Sequence, residues 1–282
     1  MPELPELQAL AEGLGRAVTG RIVVATHVHQ AAALKSADPT PDALTGGEVR
    51  AVWRRGKLIG VDIGAYALVV HLMTAGRIGL VDADAPERPR NAIFDVEFDD
   101  GRRLRLRELS STHRATVDVF RAGDLTSHRP IARLGPEPVS LDAGGWKAAL
   151  AEPSARLHTA LRDGRRVAGI GRCYADEIMW VAKLAPFANT ARLADDDWKR
   201  LAKGAALVLE QATDRARDRI STDLPNREAR VTAAHAHYAD PCLRCTTALE
   251  RVSFVSYELV YCPTCQTDGR IYADRRRSRF LR

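Results

Sequence analysis

Two short stretches of this chain hold residue types whose spacing points to chemistry. The first is Met1-Pro2-Glu3-Leu4-Pro5-Glu6. Removal of Met1 would make Pro2 the N-terminus, a secondary amine with a pKa of roughly 8. Such an amine attacks a carbon at the aldehyde oxidation level and forms a cationic iminium, which is Schiff-base chemistry. Glu3, beside it, can supply or remove a proton. The same residues also read as an ordinary helix start, with Pro5 in the first turn and Glu6 near its positive end. The second stretch carries Cys242, Cys245, Cys262 and Cys265, two CxxC pairs separated by sixteen residues. Two such knuckles suit a tetrahedral structural Zn²⁺, and with four protein ligands no coordination position remains for catalysis. A redox dithiol is the alternative, but no βαβ pattern accompanies it.

A third feature is Arg165-Arg166-Val167-Ala168-Gly169-Ile170-Gly171-Arg172, ahead of a helix expected near Tyr174. Gly169 and Gly171 let a backbone approach a phosphate closely. The first N–H groups of the helix can cradle it, and Arg165, Arg166 and Arg172 add charge-assisted contacts. A tight helix–helix turn with solvated arginines would look the same.

The elements that must position these groups follow from periodicity. Leu7, Leu10, Ala11, Leu14 and Val18 recur at helical spacing and Gly20 closes the run. Short β-type stretches follow at 21–28 and 47–53. Residues 57–63 and 67–72 read as a hairpin around Gly64; 93–98 and 103–107 form another across Asp99-Asp100-Gly101; 114–120 alternates again. The pattern predicts a β-sandwich packed on the first helix. Leu134-Gly135-Pro136-Glu137-Pro138 is a rigid connector, and helical patterns then cover roughly 143–219. In the cysteine module, 249–254 and 257–261 alternate like hairpin arms. The expected class is α+β. An N-terminal helix and β-sandwich domain would span 1–130, a helical domain 131–234, and a zinc-ribbon finger with a basic tail 235–282.

The 282 residues carry 42 Lys and Arg against 36 Asp and Glu, a formal charge of +6, so a polyanionic partner is plausible. No apolar stretch of about 18 residues suggests a membrane span, and no secretory signal is recognisable. Paired cysteines without a disulfide framework suit a reducing cytoplasm.

In this order and spacing, PELPE at 2–6, RRGK at 54–57, LGPEP at 134–138, VAGIG with YADEI at 167–178 and the CxxC…CPxCQ finger resemble the formamidopyrimidine-DNA glycosylase and endonuclease VIII (Fpg/Nei) family. The resemblance implies that the helical domain is of the helix–two-turn–helix type and that DNA lies between the domains. It implies that Pro2 attacks C1′ of a damaged nucleotide extruded from the duplex. Glu3 would be the general acid on the opening sugar, Lys57 the hairpin lysine that grips phosphate, and Glu6 the support of the first helix. The four cysteines would hold one structural zinc. A monomer acting on damaged DNA, without an organic cofactor and associated with a bacterial nucleoid, is expected.

Some positions depart from the family pattern. Arg172 replaces the asparagine that holds phosphate, and Tyr257 replaces an arginine of the finger, for which Arg251 could compensate. In His71-Leu72-Met73-Thr74-Ala75-Gly76, Thr74 stands where many members carry a wedging methionine. Met73, one residue early, is expected to point into the core from a strand. Ser110-Ser111-Thr112-His113-Arg114 replaces an Arg-Arg-Phe loop, with His113 and Arg114 as candidates to fill the opposite strand's gap. Residues 220–237 lack the long glycine-containing loop that closes over 8-oxoguanine.

The leading expectation is therefore a bifunctional glycosylase and abasic-site lyase acting on oxidised or ring-opened bases and abasic sites, not a standard 8-oxoguanine enzyme. A catalytically weak or inactive relative that binds damaged or distorted DNA is the alternative. A zinc-ribbon interaction protein would leave PELPE and the glycine turn unexplained.

Overall fold

Helix α1, Leu4–Val18, begins where its sequence says it can: Pro5 occupies its first turn and Glu3 is its N-cap. The Glu3 N–H donates to Glu6 Oε2 at 2.9 Å, and the Glu3 carboxylate accepts from the Glu6 N–H in return, a reciprocal capping box. Leu4, Leu7, Leu10, Leu14 and Val18 are buried along one face. The helix ends at Thr19, and Gly20 turns the chain at φ +83°. The computed structural model describes residues 1–86, 90–111, 114–226, 230–255 and 257–272.

The chain forms two compact units, Met1–Arg133 with Ala212–Ala229, and Leu134–Gln211 with Arg230–Arg282. In the first, α1 packs on strand β2 (Val49–Arg55) and touches β3 (Leu58–Ile63). These strands join β4 (Tyr66–His71) and β8 (Thr116–Arg121) in a four-stranded antiparallel sheet of order β2-β3-β4-β8. A second antiparallel sheet has the order β1-β6-β7-β5, from β1 (Val23–Val28), β5 (Gly76–Val81), β6 (Ala92–Phe98) and β7 (Arg103–Glu108). Apolar residues of α1 and of both sheets share one core.

Strand β5 was not anticipated. The chain leaves one sheet at His71 and enters the other at Gly76, so residues 72–75 form a corner rather than a continuing strand. Gly76 suits that corner because a Cβ there would lie 2.4 Å from the Leu72 carbonyl oxygen. Met73 therefore is not a strand residue pointing into the core. It is half-buried in the turn at φ +50°, and its N–H donates to His71 Nδ1 at 2.9 Å.

The returning segment 212–229 belongs to the first unit because Ala216, Ile220 and Leu224 enter its core. Its backbone joins the edge of β5: Leu80 N–H donates to Thr222 O, and Leu224 N–H to Ile78 O. Arg217 grips Glu12 of α1 with two bonds of 2.8 Å. The hydrogen bond from Arg217 is the largest cause holding the Glu12 carboxyl at about 2, below its ordinary 4.5. A depressed folded-state pKa contributes stability above the unfolded value and loses it as pH falls. Glu12→Gln should therefore be less stable than the parent near pH 6 by about 0.5 kcal/mol, since both groups are part-exposed and screened. The gap should narrow between about pH 4.5 and 2, which urea melts across that range will show.

Helix α2 (Arg129–Ala132) lies near the end of the first unit's main segment; the helices of the second unit are α3 (Ala143–Leu150), α4 (Leu157–Arg162), α5 (Arg172–Ala182) and most of α6 (Asp195–Arg217). It ends in the hairpin of β9 (Glu250–Ser253) and β10 (Glu258–Tyr261), followed by α7 (Pro263–Thr267). This is the mixed α+β class that the sequence predicts.

Candidate functional site

Pro2 is buried, while Met1 is 40% exposed at the surface of the first unit. Glu3 and Glu6 are both buried, joined by the capping box, so Glu6 fixes the backbone immediately after the proline. Lys57 sits in the two-residue turn Gly56-Lys57 between β2 and β3, where Gly56 takes φ +57°, a hairpin geometry that favours glycine. Arg54 ties this turn to α1: its Nε donates to Gln8 Oε1 and its Nη1 to the Gly56 carbonyl, both at 3.0 Å. Leu58 pairs with His71, which brings that imidazole near Lys57. Burial, and then the Lys57 charge, hold His71 below its usual pKa. Because Nδ1 accepts from Met73, a neutral His71 carries its proton on Nε2.

Thr74 is exposed at the corner turn. Arg77, almost fully buried behind it, donates to the carbonyls of Pro225 at 2.8 Å and Asn226 at 2.9 Å. His113 lies outside the described residues. Arg114 is exposed, and its N–H and that of Ala115 both donate to Glu108 Oε2 at 3.0 Å. Glu108, buried at the end of β7, is thus a holder of this loop that sequence reasoning missed.

In the second unit, Gly169 takes φ +86° and Gly171 is the N-cap of α5. The Leu134-to-Pro138 connector backs this turn: Ala168 N–H donates to Pro136 O, and a Cβ on Gly135 would meet the Arg166 carbonyl at 2.3 Å. Arg172 is exposed on the first turn of α5. Arg165 is exposed but paired with Asp163 at 3.1 Å. Arg166, expected to reach phosphate, instead holds the carbonyls of Leu150 at 3.1 Å and Pro153 at 2.6 Å. A guanidinium next to helix-end carbonyls satisfies them, and that local demand decides its direction.

Asp176 and Glu177, inside YADEI, carry structural roles that their place on a helix concealed. Glu177 accepts the N–H groups of Ala233 at 2.8 Å, Ala234 at 2.9 Å and His235 at 2.8 Å. Asp176, fully buried, meets His235 Nδ1 at 2.7 Å, and burial pushes its carboxyl up to about 7. His235 and His237 therefore serve carboxylates, His237 pairing with Asp240, and are not additional metal ligands. Glu177→Ala should cost about 2–4 kcal/mol, because three buried or half-buried donors lose a charged acceptor. Urea melts will measure it.

In the finger, Arg251 pairs with Glu258 at 3.2 Å and lies 4.2 Å over the Tyr238 ring, so it does not take the place of the charge missing at Tyr257. The ring of Tyr257 stacks on Phe254 at 4.4 Å.

The sulfurs of Cys242, Cys245, Cys262 and Cys265 all lie within 4.8 Å of one another. Tetrahedral zinc–thiolate bonds of about 2.3 Å would set the sulfurs about 3.8 Å apart, so the donor set fits one structural Zn²⁺. Gln266 braces the site, accepting from Cys262 N–H at 2.8 Å and donating to Leu184 O at 2.9 Å. Among the described residues, no helix is long and apolar enough to cross a membrane.

These features are matched along the chain. Residues 1–113 match the formamidopyrimidine-DNA glycosylase N-terminal domain, 134–223 its H2TH domain, and 239–267 the zinc finger found in FPG and IleRS. The class is that of the zinc-finger DNA glycosylases of DNA repair. A formamidopyrimidine-DNA glycosylase of Laribacter hongkongensis is 32% identical over 275 residues, covering 94% of this chain and all of the relative. One from Geobacter sulfurreducens is 30% identical over 277 residues, with 94% and 100% covered. The chain belongs to the formamidopyrimidine-DNA glycosylase family, a family of bifunctional glycosylases and abasic-site lyases. Its fold is shared with MutM solved in complex with DNA containing carbocyclic 8-oxo-G (TM-score 0.83, 21% identity, 94% of this chain and 100% of that one). It is also shared with Lactococcus lactis Fpg in complex with abasic-site DNA (TM-score 0.82, 21% identity, 94% and 99% covered).

Proposed function

We propose that this protein excises damaged bases from DNA and cuts the strand at the resulting abasic site, with Pro2 as nucleophile. The carrying observation is the start of α1, where Glu3 and Glu6 lock the backbone beside Pro2 and Arg54 links the same helix to the turn of Lys57. With Met1 removed, the Pro2 nitrogen attacks C1′ and the base departs with the bonding electron pair. Glu3 protonates the ring oxygen as the sugar opens. The iminium acidifies the C2′ proton, whose loss expels the 3′ phosphate by β-elimination. Lys57 neutralises phosphate near the lesion, and the neutral His71 beside it offers a donor. Arg172, the glycine turn at Gly169 and Gly171, and Arg165 contribute contacts to the DNA backbone, and the exposed Thr74 and Arg114 are further candidates for contacts with bases or phosphates.

Oxidised or ring-opened bases and abasic sites are the proposed substrates, in preference to 8-oxoguanine. Thr74, exposed at the corner, offers a short polar side chain where a wedge would have to be long and apolar. That same residue favours a second reading, a weakly catalytic protein that binds distorted DNA. Borohydride reduction during incubation with abasic-site DNA separates the two. A covalent complex, together with an intact mass lacking Met1, supports the enzyme. Tight, salt-sensitive binding without a complex supports the binder and removes the catalytic role of Pro2.

A further inference from the structure

The finger turn of the second unit carries an arginine contact that comes from outside the finger. The Arg162 guanidinium, at the end of α4, sits 4.2 Å over the Tyr257 ring centroid. Tyr257 is itself held from two other directions. It stacks on Phe254 at 4.4 Å with the planes 15° apart, and on His158 at 5.8 Å. The turn is closed by Phe254 N–H donating to Tyr257 O at 2.7 Å. Val255, beside Phe254 in this turn, is fully exposed.

Among the described residues no carboxylate pairs with Arg162. The adjacent Asp163 serves Arg165 and Arg166 instead. Burial, and then the charges of Arg162, His235 and Arg172, hold His158 below its usual pKa. The nearby acids have other partners: Asp176 is fully buried between His235 Nδ1 at 2.7 Å and His158 Nε2 at 3.5 Å, Glu177 accepts the N–H groups of residues 233–235, and Glu258 pairs with Arg251. An arginine stacked on an aromatic ring keeps its planar N–H fork pre-organised for a bidentate oxyanion.

We propose that Arg162, positioned by Tyr257, binds a phosphate of the nucleic-acid backbone, the two forming a composite contact across α4 and the finger. The proposal rests on the DNA-binding reading given above but not on the chemistry of Pro2. Aromatic stacking holds the guanidinium, and the guanidinium carries the charge. A lysine at 162 keeps the charge but loses the planar stack, whereas phenylalanine at 257 keeps the ring.

The test is fluorescence-anisotropy binding of the full-length, zinc-loaded protein to a duplex containing a tetrahydrofuran abasic analogue, over a salt series. Arg162→Gln should reduce the slope of log affinity against log salt by about 0.9, the release of counterions from one phosphate. Affinity should fall about tenfold at the lowest salt. An undamaged duplex should show the same slope change, since phosphate contacts carry no sequence information. Arg162→Lys should keep the slope and lose part of the affinity, Tyr257→Leu should lose affinity, and Tyr257→Phe should match the parent. An unchanged slope and affinity in Arg162→Gln, with parental melting temperature and one zinc per chain, overturns the proposal. Should Arg162→Gln fail to fold, Tyr257→Leu against Tyr257→Phe decides: equal affinities overturn it. Borohydride trapping run alongside keeps the two readings apart. A slope change without trapping leaves Arg162 in place and removes Pro2; trapping without a slope change does the reverse.

Discussion

Pro2→Gly, with Met1 removed, is expected to lose at least about a hundredfold in trapped complex and strand cleavage on abasic-site DNA. The variant still ends in an amine, so the loss tests position rather than the mere presence of nitrogen. The pyrrolidine ring blocks rotation about the N–Cα bond and so leaves the nitrogen lone pair a restricted direction relative to α1. Glycine frees that end, and a misplacement of about 1 Å in a reacting atom is enough for a hundredfold effect. The rest of the start is rigid: Glu3 and Glu6 are buried and bonded to each other's backbone, so the swing would be confined to the terminal residue. Glu3→Gln should act differently. The amide can still cap α1, and the fold should survive, but a group that gives a proton is lost, which costs about 10²–10⁴-fold in turnover. Single-turnover cleavage with gel readout measures both. Equal rates for Pro2→Gly and the parent would show that the proline ring is not needed to place the amine.

Removing zinc is expected to unfold the finger while leaving the first unit intact. The hairpin of β9 and β10 has two four-residue strands, too few to hold without help. Its apolar support is divided into two small clusters. Leu249 and Val260 pack with the cysteines against Trp180, and Val252, Leu259 and Tyr261 pack against Phe187 and Tyr272. Metal binding in such modules is worth about 10–16 kcal/mol, more than these clusters can replace. Cys262→Ser or chelation should release one zinc per chain, measured with a metallochromic dye, and abolish DNA binding. Hydrogen exchange should rise through residues 242–265 while α1 stays protected. Retention of the finger's protection after the metal is gone would show that packing alone suffices.

Legibility differed by the kind of interaction. The α1 start and the four-cysteine spacing are readable because their partners are close in sequence: Glu3 and Glu6 are three residues apart, and each CxxC pair spans one knuckle. Hairpins at 58–71 and 92–108 are readable for the same reason, through alternation and turn residues. Glu177 was invisible because its three N–H partners lie 56, 57 and 58 residues downstream. Nothing in YADEI indicates whether its two acids face water or a loop. The role of Arg166 is not legible in sequence, because an arginine run looks the same whether it meets phosphate, solvent or, as here, the carbonyls of Leu150 and Pro153.

By itself, the sequence determined the chemical inventory and its order along the chain: a proline-glutamate start, a hairpin lysine, a glycine turn, four thiolates, and the α+β class that carries them. Only the tertiary structure decided where the chain crosses between sheets, which placed Met73 in a corner and Thr74 at the surface. It alone also decided which charged side chains point outward and which satisfy buried backbone, as Arg77, Glu108 and Glu177 do. The reason is physical. A motif's chemistry belongs to its own atoms, whereas the direction of a long polar side chain is set by whichever unsatisfied group folding brings within hydrogen-bond reach.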